Sequence, residues 1–109
     1  MRFEVELTER ADRDLRNIFL YIAVDLQSSE NADKQVKRLW NAILSLDELP
    51  ERYRRYEDEP WHSRGLRILS VDNYNILYIP SLEERIVRIM TVMCGGRDIS
   101  EQLKNCNKK

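Results

Sequence analysis

The sequence predicts an α+β domain in which an N-terminal strand leads into an antiparallel helical hairpin packed on a mostly antiparallel, four-stranded sheet. Three observations carry that expectation. Residues 2–7 alternate polar and apolar; two stretches of helical periodicity follow, separated only by Gln27-Ser28-Ser29; and residues 64–94 are dense in β-branched, aliphatic and aromatic side chains with two turn signals inside. At 109 residues the chain is expected to form one domain, long enough to bury a modest core without disulfides or metal.

Phe3, Val5 and Leu7 fall on one face of the first strand, and Arg2, Glu4 and Glu6 on the other. Thr8 stands where a helix N-cap belongs, with Glu9 in the favourable first turn. Ala11, Leu15, Ile18, Phe19, Ile22 and Leu26 then form one apolar stripe, while Asp12, Arg13, Arg16 and Asn17 lie off it. Ser29 reads as a second cap. Ala32, Val36, Leu39, Trp40, Ile43, Leu46 and Leu49 continue at helical spacing until Pro50 stops the run. The short break between the two stripes implies a helical hairpin, and Trp40 reads as a packing residue.

Residues 51–63 make a polar connection that is long for a structureless loop. Tyr53, Tyr56 and Trp61 are interleaved there with Arg52, Arg54 and Arg55. Two readings stay open: a stacking and phosphate-contacting surface, or aromatic cover over the end of the sheet, the second being preferred for Trp61. In the strand region Asp72-Asn73 suits a tight turn, because both residues tolerate left-handed backbone angles. Pro80-Ser81, with Glu83-Glu84 beyond, marks a second turn. The run Ile86 to Cys94 is apolar on both faces and should be central. Gly95-Gly96 ends it, Ile99 to Asn105 suits a short helix, and the last residues read as a frayed tail. With the helices on one face, the other face of the sheet is expected to be free for a partner or substrate.

The net charge of −1 argues against a general grip on nucleic-acid backbone. Any basic surface must be local. Residues 1–50 carry a net −3 and residues 51–109 a net +2, so the sheet half is the more basic one. Its basic residues from Arg52 to Arg97 are all arginine, which suits two-bond contacts to carboxylate or phosphate. No apolar run approaches the ~20 residues of a membrane span, and the strand-like N-terminus lacks the features of a signal peptide. The expectation is a cytoplasmic protein with no membrane partner, in which Cys94 and Cys106 are reduced thiols.

Catalytic motifs are weak. The sequence has no glycine-rich phosphate loop and no metal-ligand spacing, so no cofactor is expected. His62 is the only histidine and has the intrinsic pKa of an acid–base group, but no neighbour in the sequence marks it as one. The catalytic candidates are therefore Arg64, Arg67, Arg97 and His62. The partner-binding candidates are Arg64, Arg67, Arg88 and Arg97 with Tyr74 and Tyr78.

Residues Thr8-Glu9-Arg10-Ala11 with Asp14-Leu15 and Tyr21-Ile22, then Ala32, Leu39, Ala42-Ile43, Leu46 and Pro50, make one half of a recognisable pattern. Arg64-Gly-Leu-Arg67, Asp72-Asn-Tyr74-Asn-Ile-Leu-Tyr78, Val87-Arg88-Ile and Gly95-Gly-Arg97-Asp98 make the other half. In order and spacing the chain resembles the RelE/ParE toxins of type II toxin–antitoxin systems over nearly its whole length. The resemblance implies a growth-inhibiting toxin silenced by a cognate antitoxin protein. It further implies one of two activities: poisoning of DNA gyrase without enzymatic chemistry, as in ParE, or ribosome-dependent cleavage of mRNA, as in RelE. The RelE pattern places an arginine where this chain has Asn75, and a C-terminal tyrosine or histidine where residues 94–103 have neither. Arg97 does match a RelE cation. Those departures favour the ParE-like activity. The alternatives are a metal-independent endoribonuclease, and a degenerate toxin acting only as an antitoxin-binding co-regulator.

Overall fold

The computed structural model describes residues 2–95. Strand β1 (Glu4–Leu7) leads into helix α1 (Glu9–Leu20), which continues as a π turn at Tyr21–Asp25. Helix α2 (Ser29–Leu44) runs back and decays through 3₁₀ turns at Ser45–Asp47 and Pro50–Arg52. A four-residue helix α3 (Trp61–Arg64) precedes strands β2 (Arg67–Val71), β3 (Tyr74–Ser81) and β4 (Ile86–Cys94). The sheet order is β1-β4-β3-β2, with β1 parallel to β4 and the other pairings antiparallel. This is the predicted α+β architecture. The expected position of β4 also holds: it lies between β1 and β3, with Val87, Ile89, Thr91, Val92 and Met93 buried.

Thr8 caps α1 as its type suggests, its Oγ1 accepting from the Ala11 amide at 3.1 Å. The same hydroxyl points at the carbonyls of Ile89 (3.0 Å) and Met90 (2.9 Å), so the cap also fastens α1 to β4. Between the helices and the sheet lies the main core: Ala11 and Leu15 of α1, Leu39 and Ile43 of α2, Leu46, and Leu69, Ile76, Tyr78, Val87, Ile89 and Val92 of the sheet.

Four local expectations are corrected. The second helix starts at Ser29, with Ser28 in the cap position and no side-chain cap bond. Leu26 does not extend the α1 stripe and is 56% exposed. A π turn places more than 3.6 residues in each turn, so the buried face has rotated out of phase by the time the chain leaves Tyr21–Asp25 and reaches Leu26. Leu49 is likewise not on the α2 stripe: the helix has already ended, and Leu49 sits at φ 46°. Pro80 lies inside β3, opposite Val87, and the turn comes at residues 82–85. Strand β2 reaches along β3 only to Tyr78, so Pro80 occupies a stretch with no neighbour on that side, where a missing N–H is tolerated. The expected turn at Asp72-Asn73 is present, with Asp72 at φ 55°. Ile99 to Asn105, the tail and Cys106 lie outside the described residues, as does Arg97.

Candidate functional site

Leu66, Ile68, Leu77 and Met93 are buried on the sheet face away from the helices, together with Tyr56 and Trp61. The chain from Arg54 to Tyr56 runs antiparallel along the start of β2: the Tyr56 amide donates to Leu66 at 2.8 Å, and the Ile68 amide to Arg54 at 3.1 Å. Helix α3 then folds Trp61 over the sheet. The face expected to be free is thus covered in large part. The reason is that β2 and β3 carry apolar side chains on both faces, Ile68 beside Leu69 and Ile76 beside Leu77, so both faces need cover. Trp61 and Tyr56 supply it and are not a stacking platform. Tyr53 is half-buried beneath the Arg52 guanidinium, 4.8 Å from its ring centre.

Of the arginines named from the sequence, the described ones, Arg64, Arg67 and Arg88, do not converge. Arg67 is turned inward on the helix side, 16% exposed; its Nη1 donates to the carbonyls of Glu51 (3.0 Å) and Tyr53 (2.7 Å), and Nη2 lies 3.7 Å from the Glu51 carboxylate. Its Nε is buried without a partner. Arg67 is therefore a clamp on residues 51–53 and is not presented to a partner. Arg64 lies over the Trp61 ring at 4.9 Å. Arg88 pairs across the opposite sheet face with Glu84 (3.2 Å) and Glu6 (3.7 Å); the Glu84 hydrogen bond and charge first, then Glu6, push its pKa further up. His62 donates from Nδ1 to the Tyr56 carbonyl at 2.8 Å, and its own carbonyl accepts from Arg55. Nearby Glu59 accepts from the Ser63 hydroxyl (2.7 Å) and amide (2.9 Å), which hold its pKa below the ordinary value. These bonds shape the loop that bears His62.

Tyr78 is corrected as a partner-binding residue. It is fully buried, its hydroxyl donates to the Pro50 carbonyl at 2.6 Å, and burial pushes its pKa up to about 12. Tyr74 is half-buried and opens on a cleft of about 410 Å³ shared with Tyr21, Lys34, Gln35 and Arg38. Burial, then the proximity of Cys94 and Tyr21, raises its pKa. Gln35 and Arg38 both donate to Asp72, each at 2.9 Å, and lower its pKa while tying the β2–β3 turn to α2.

A second feature was missed from the sequence. An apolar groove of about 380 Å³ runs between α1 and α2, lined by Leu15, Phe19, Leu20, Val36 and Trp40, with Asp12 and Arg16 also on its walls. Leu20 is 54% exposed and Trp40 36%. The signal was present in the run Ile18-Phe19-Leu20 and the pair Leu39-Trp40, since successive residues on a helix point about 100° apart and such runs widen the apolar face beyond what one core contact covers. Among the described residues no group of His, Cys, Asp and Glu is placed to hold a metal, and no helix is long and apolar enough to cross a membrane.

The family model described as "ParE toxin of type II toxin-antitoxin system, parDE" matches residues 5–99. The chain belongs to the ParE toxin family. No curated protein matches it. Among solved structures, the chromosomal ParDE toxin–antitoxin system of P. aeruginosa is similar at TM-score 0.71 and 19% identity, covering 85% of this chain and 96% of that one. A RelBE toxin–antitoxin complex from Mycobacterium tuberculosis gives TM-score 0.66 and 19% identity over 86% of this chain and 99% of that one. A free double-arginine variant of the E. coli toxin RelE gives 0.68 and 16%, over 99% and 97%. In this ParE-family toxin, Asn75 accepts from the Ser70 hydroxyl at 2.8 Å. Its neighbour Leu77 and its cross-strand partner Met93 both lie in the covered cluster.

Proposed function

We propose that this ParE-family toxin arrests growth by protein contact with DNA gyrase, without cutting mRNA, and that a cognate antitoxin silences it through the groove between α1 and α2. The observation that carries the choice of activity is the filled sheet face around Asn75. Cleavage at a 2′-hydroxyl needs cations positioned on the phosphate and a group that moves the proton. Here a neutral amide, already bonded to Ser70, stands where the RelE pattern has a guanidinium, and Arg67 is turned to the opposite face. Trp61 and Tyr56 cover Ile68 and Leu77 beside it.

The antitoxin part rests on a different observation. Phe19, Leu20 and Trp40 leave more apolar surface in one groove than a solvated helical pair requires. An amphipathic segment that lays its apolar side into such a groove is a common mode of recognition. Similar structures include toxin–antitoxin complexes, which supports a partner of this kind.

One preparation tests the activity in two assays, supercoiling by purified gyrase and primer extension on message bound to translating ribosomes. The expected result is inhibited supercoiling with uncut message. Specific cuts that vanish in Arg97→Ala, with gyrase untouched, would establish the ribonuclease instead. Normal growth at verified soluble expression would leave an antitoxin-binding co-regulator.

A further inference from the structure

The sheet order leaves β1 and β2 at its two ends. The outer side of β2 is partly occupied, because the chain from Arg54 to Tyr56 bonds there to Leu66 and Ile68. The stretch of β4 that extends past β1 is held by the Asp14 carboxylate, which accepts from the Val92 amide at 3.0 Å. Among the described residues, no such cover runs along β1.

In a strand the amide and carbonyl of one residue point to the same side, and the side alternates along the chain. The Glu4 amide donates to Arg85 at 2.8 Å and the Thr8 amide to Ile89 at 3.1 Å, so the even-numbered residues face β4. Phe3, Val5 and Leu7 therefore turn their backbone groups outward. The Phe3 amide is taken by the Asp47 carbonyl at 2.7 Å. The Val5 and Leu7 amides, and the Phe3 and Val5 carbonyls, have no partner among the described residues. Four such groups in line suit one kind of occupant, an extended chain that donates and accepts at alternate residues.

The side chains of β1 set the composition of that chain. Phe3, Val5 and Leu7 are half-buried against the main core, so apolar neighbours on that face would complete their cover. Glu4 and Glu6 are exposed on the other face. Glu6 is paired with Arg88 at 3.7 Å, Arg88 is shared with Glu84, and Arg2 lies near Asp47 and Glu48. With all these pairs allowed for, the surface is still acidic: residues 2–9, 47–48 and 84–88 hold six carboxylates against three arginines, Arg2, Arg85 and Arg88. We infer that the outer edge of β1 accepts an extended segment of a partner protein as a fifth strand, one that alternates apolar side chains with lysine or arginine. A second copy of this chain suits the backbone but not the charge, because pairing β1 with itself about Val5 sets Glu4 against the Glu6 of the copy. The inference does not depend on which target the toxin acts on.

The probe is a short peptide alternating lysine and valine, with a glutamate–valine peptide as its control, added to the full chain. Amide hydrogen exchange and titration calorimetry are the readouts. The lysine–valine peptide is expected to slow exchange at Val5 and Leu7, while Glu6, already bonded within the sheet, changes little. Val5→Pro removes an outward amide without touching the ladder to β4, and proline is tolerated on such an edge. Val5→Ala truncates the same side chain and keeps the amide. The proline variant should bind the peptide about tenfold more weakly than the alanine variant, the scale of one hydrogen bond lost with its partner left unpaired. Glu4→Lys, on the exposed face, should also weaken binding, more at low salt than at high salt, and carries the test if thermal melting shows that the proline variant does not fold. Unchanged exchange at Val5 and Leu7 would overturn the inference, as would equal binding by the proline and alanine variants. Equal affinity for the two peptides would overturn the choice of a basic segment. Protection of the same amides that grows with protein concentration alone would assign the edge to a second copy and overturn it too.

Discussion

Tyr78 shows how one side chain can serve the fold where its type suggested a binding surface. It sits at the centre of β3, opposite Arg67 in the β2 register, and both reach the turn at residues 50–53. Tyr78→Phe keeps the ring but leaves the Pro50 carbonyl without its donor, so a loss of roughly 1–2 kcal/mol is expected in denaturant unfolding. The same residue predicts a pH dependence. Burial raises its pKa from 10.0 to about 12, which favours the neutral phenol in the folded state. The stability it contributes is complete below the ordinary phenol pKa and is lost as pH rises towards the folded value. Wild-type unfolding midpoints should therefore fall between pH 10 and 12 more steeply than those of Tyr78→Phe; parallel curves would show that folding does not raise the Tyr78 pKa. Asp72 behaves in the opposite sense. Its lowered pKa makes its contribution present above the ordinary carboxylate range and lost as pH falls through the folded value.

The joint between α1 and β4 depends on polar side chains more than its apolar pattern suggests. Strand β1 ends at Leu7, opposite Ile89, so β4 beyond that point has no strand on that side. Asp14 takes over: one carboxylate oxygen accepts from the Val92 amide at 3.0 Å and from the buried Thr91 hydroxyl at 2.5 Å. Arg10 donates to Thr91 at 3.3 Å. Asp14→Ala would strand an amide and a hydroxyl in a partly buried place, at a cost of about 1–3 kcal/mol. Hydrogen exchange should quicken at Val92 in that variant. Arg13→Ala, on the solvated side of the same helix, should change stability by less than ~0.5 kcal/mol. Equal effects of the two substitutions would mean that the carboxylate is not holding the strand.

The molecule offers two separate apolar surfaces, the groove between α1 and α2 and a depression at Leu49, in addition to its core. If the first receives the antitoxin, Leu20→Ser with Trp40→Ala should weaken that complex by about 2 kcal/mol or more, the scale of a hot-spot pair. Because Leu20 and Trp40 are already exposed, the fold should tolerate the change better than any core truncation. Titration calorimetry with the cognate antitoxin decides it, and an unchanged affinity would move the antitoxin off this groove.

Periodicity was enough to place β1, both helices, the Asp72-Asn73 turn and the central position of β4, because each rests on side chains a few residues apart. The Thr8 cap was legible for the same reason. The roles of the arginines and tyrosines were not. Whether Arg67 faces a partner or the 51–53 turn, and whether Tyr78 is open or buried, depends on residues 14 to 28 positions away that only the folded chain brings near. Cover of the sheet by Trp61 was the preferred sequence reading and holds, whereas the matching role of Tyr56 and the left-handed Leu49 have the same long-range origin. A local pattern states which residues seek burial, but long-range packing decides which of them obtain it and what the remainder present to a partner.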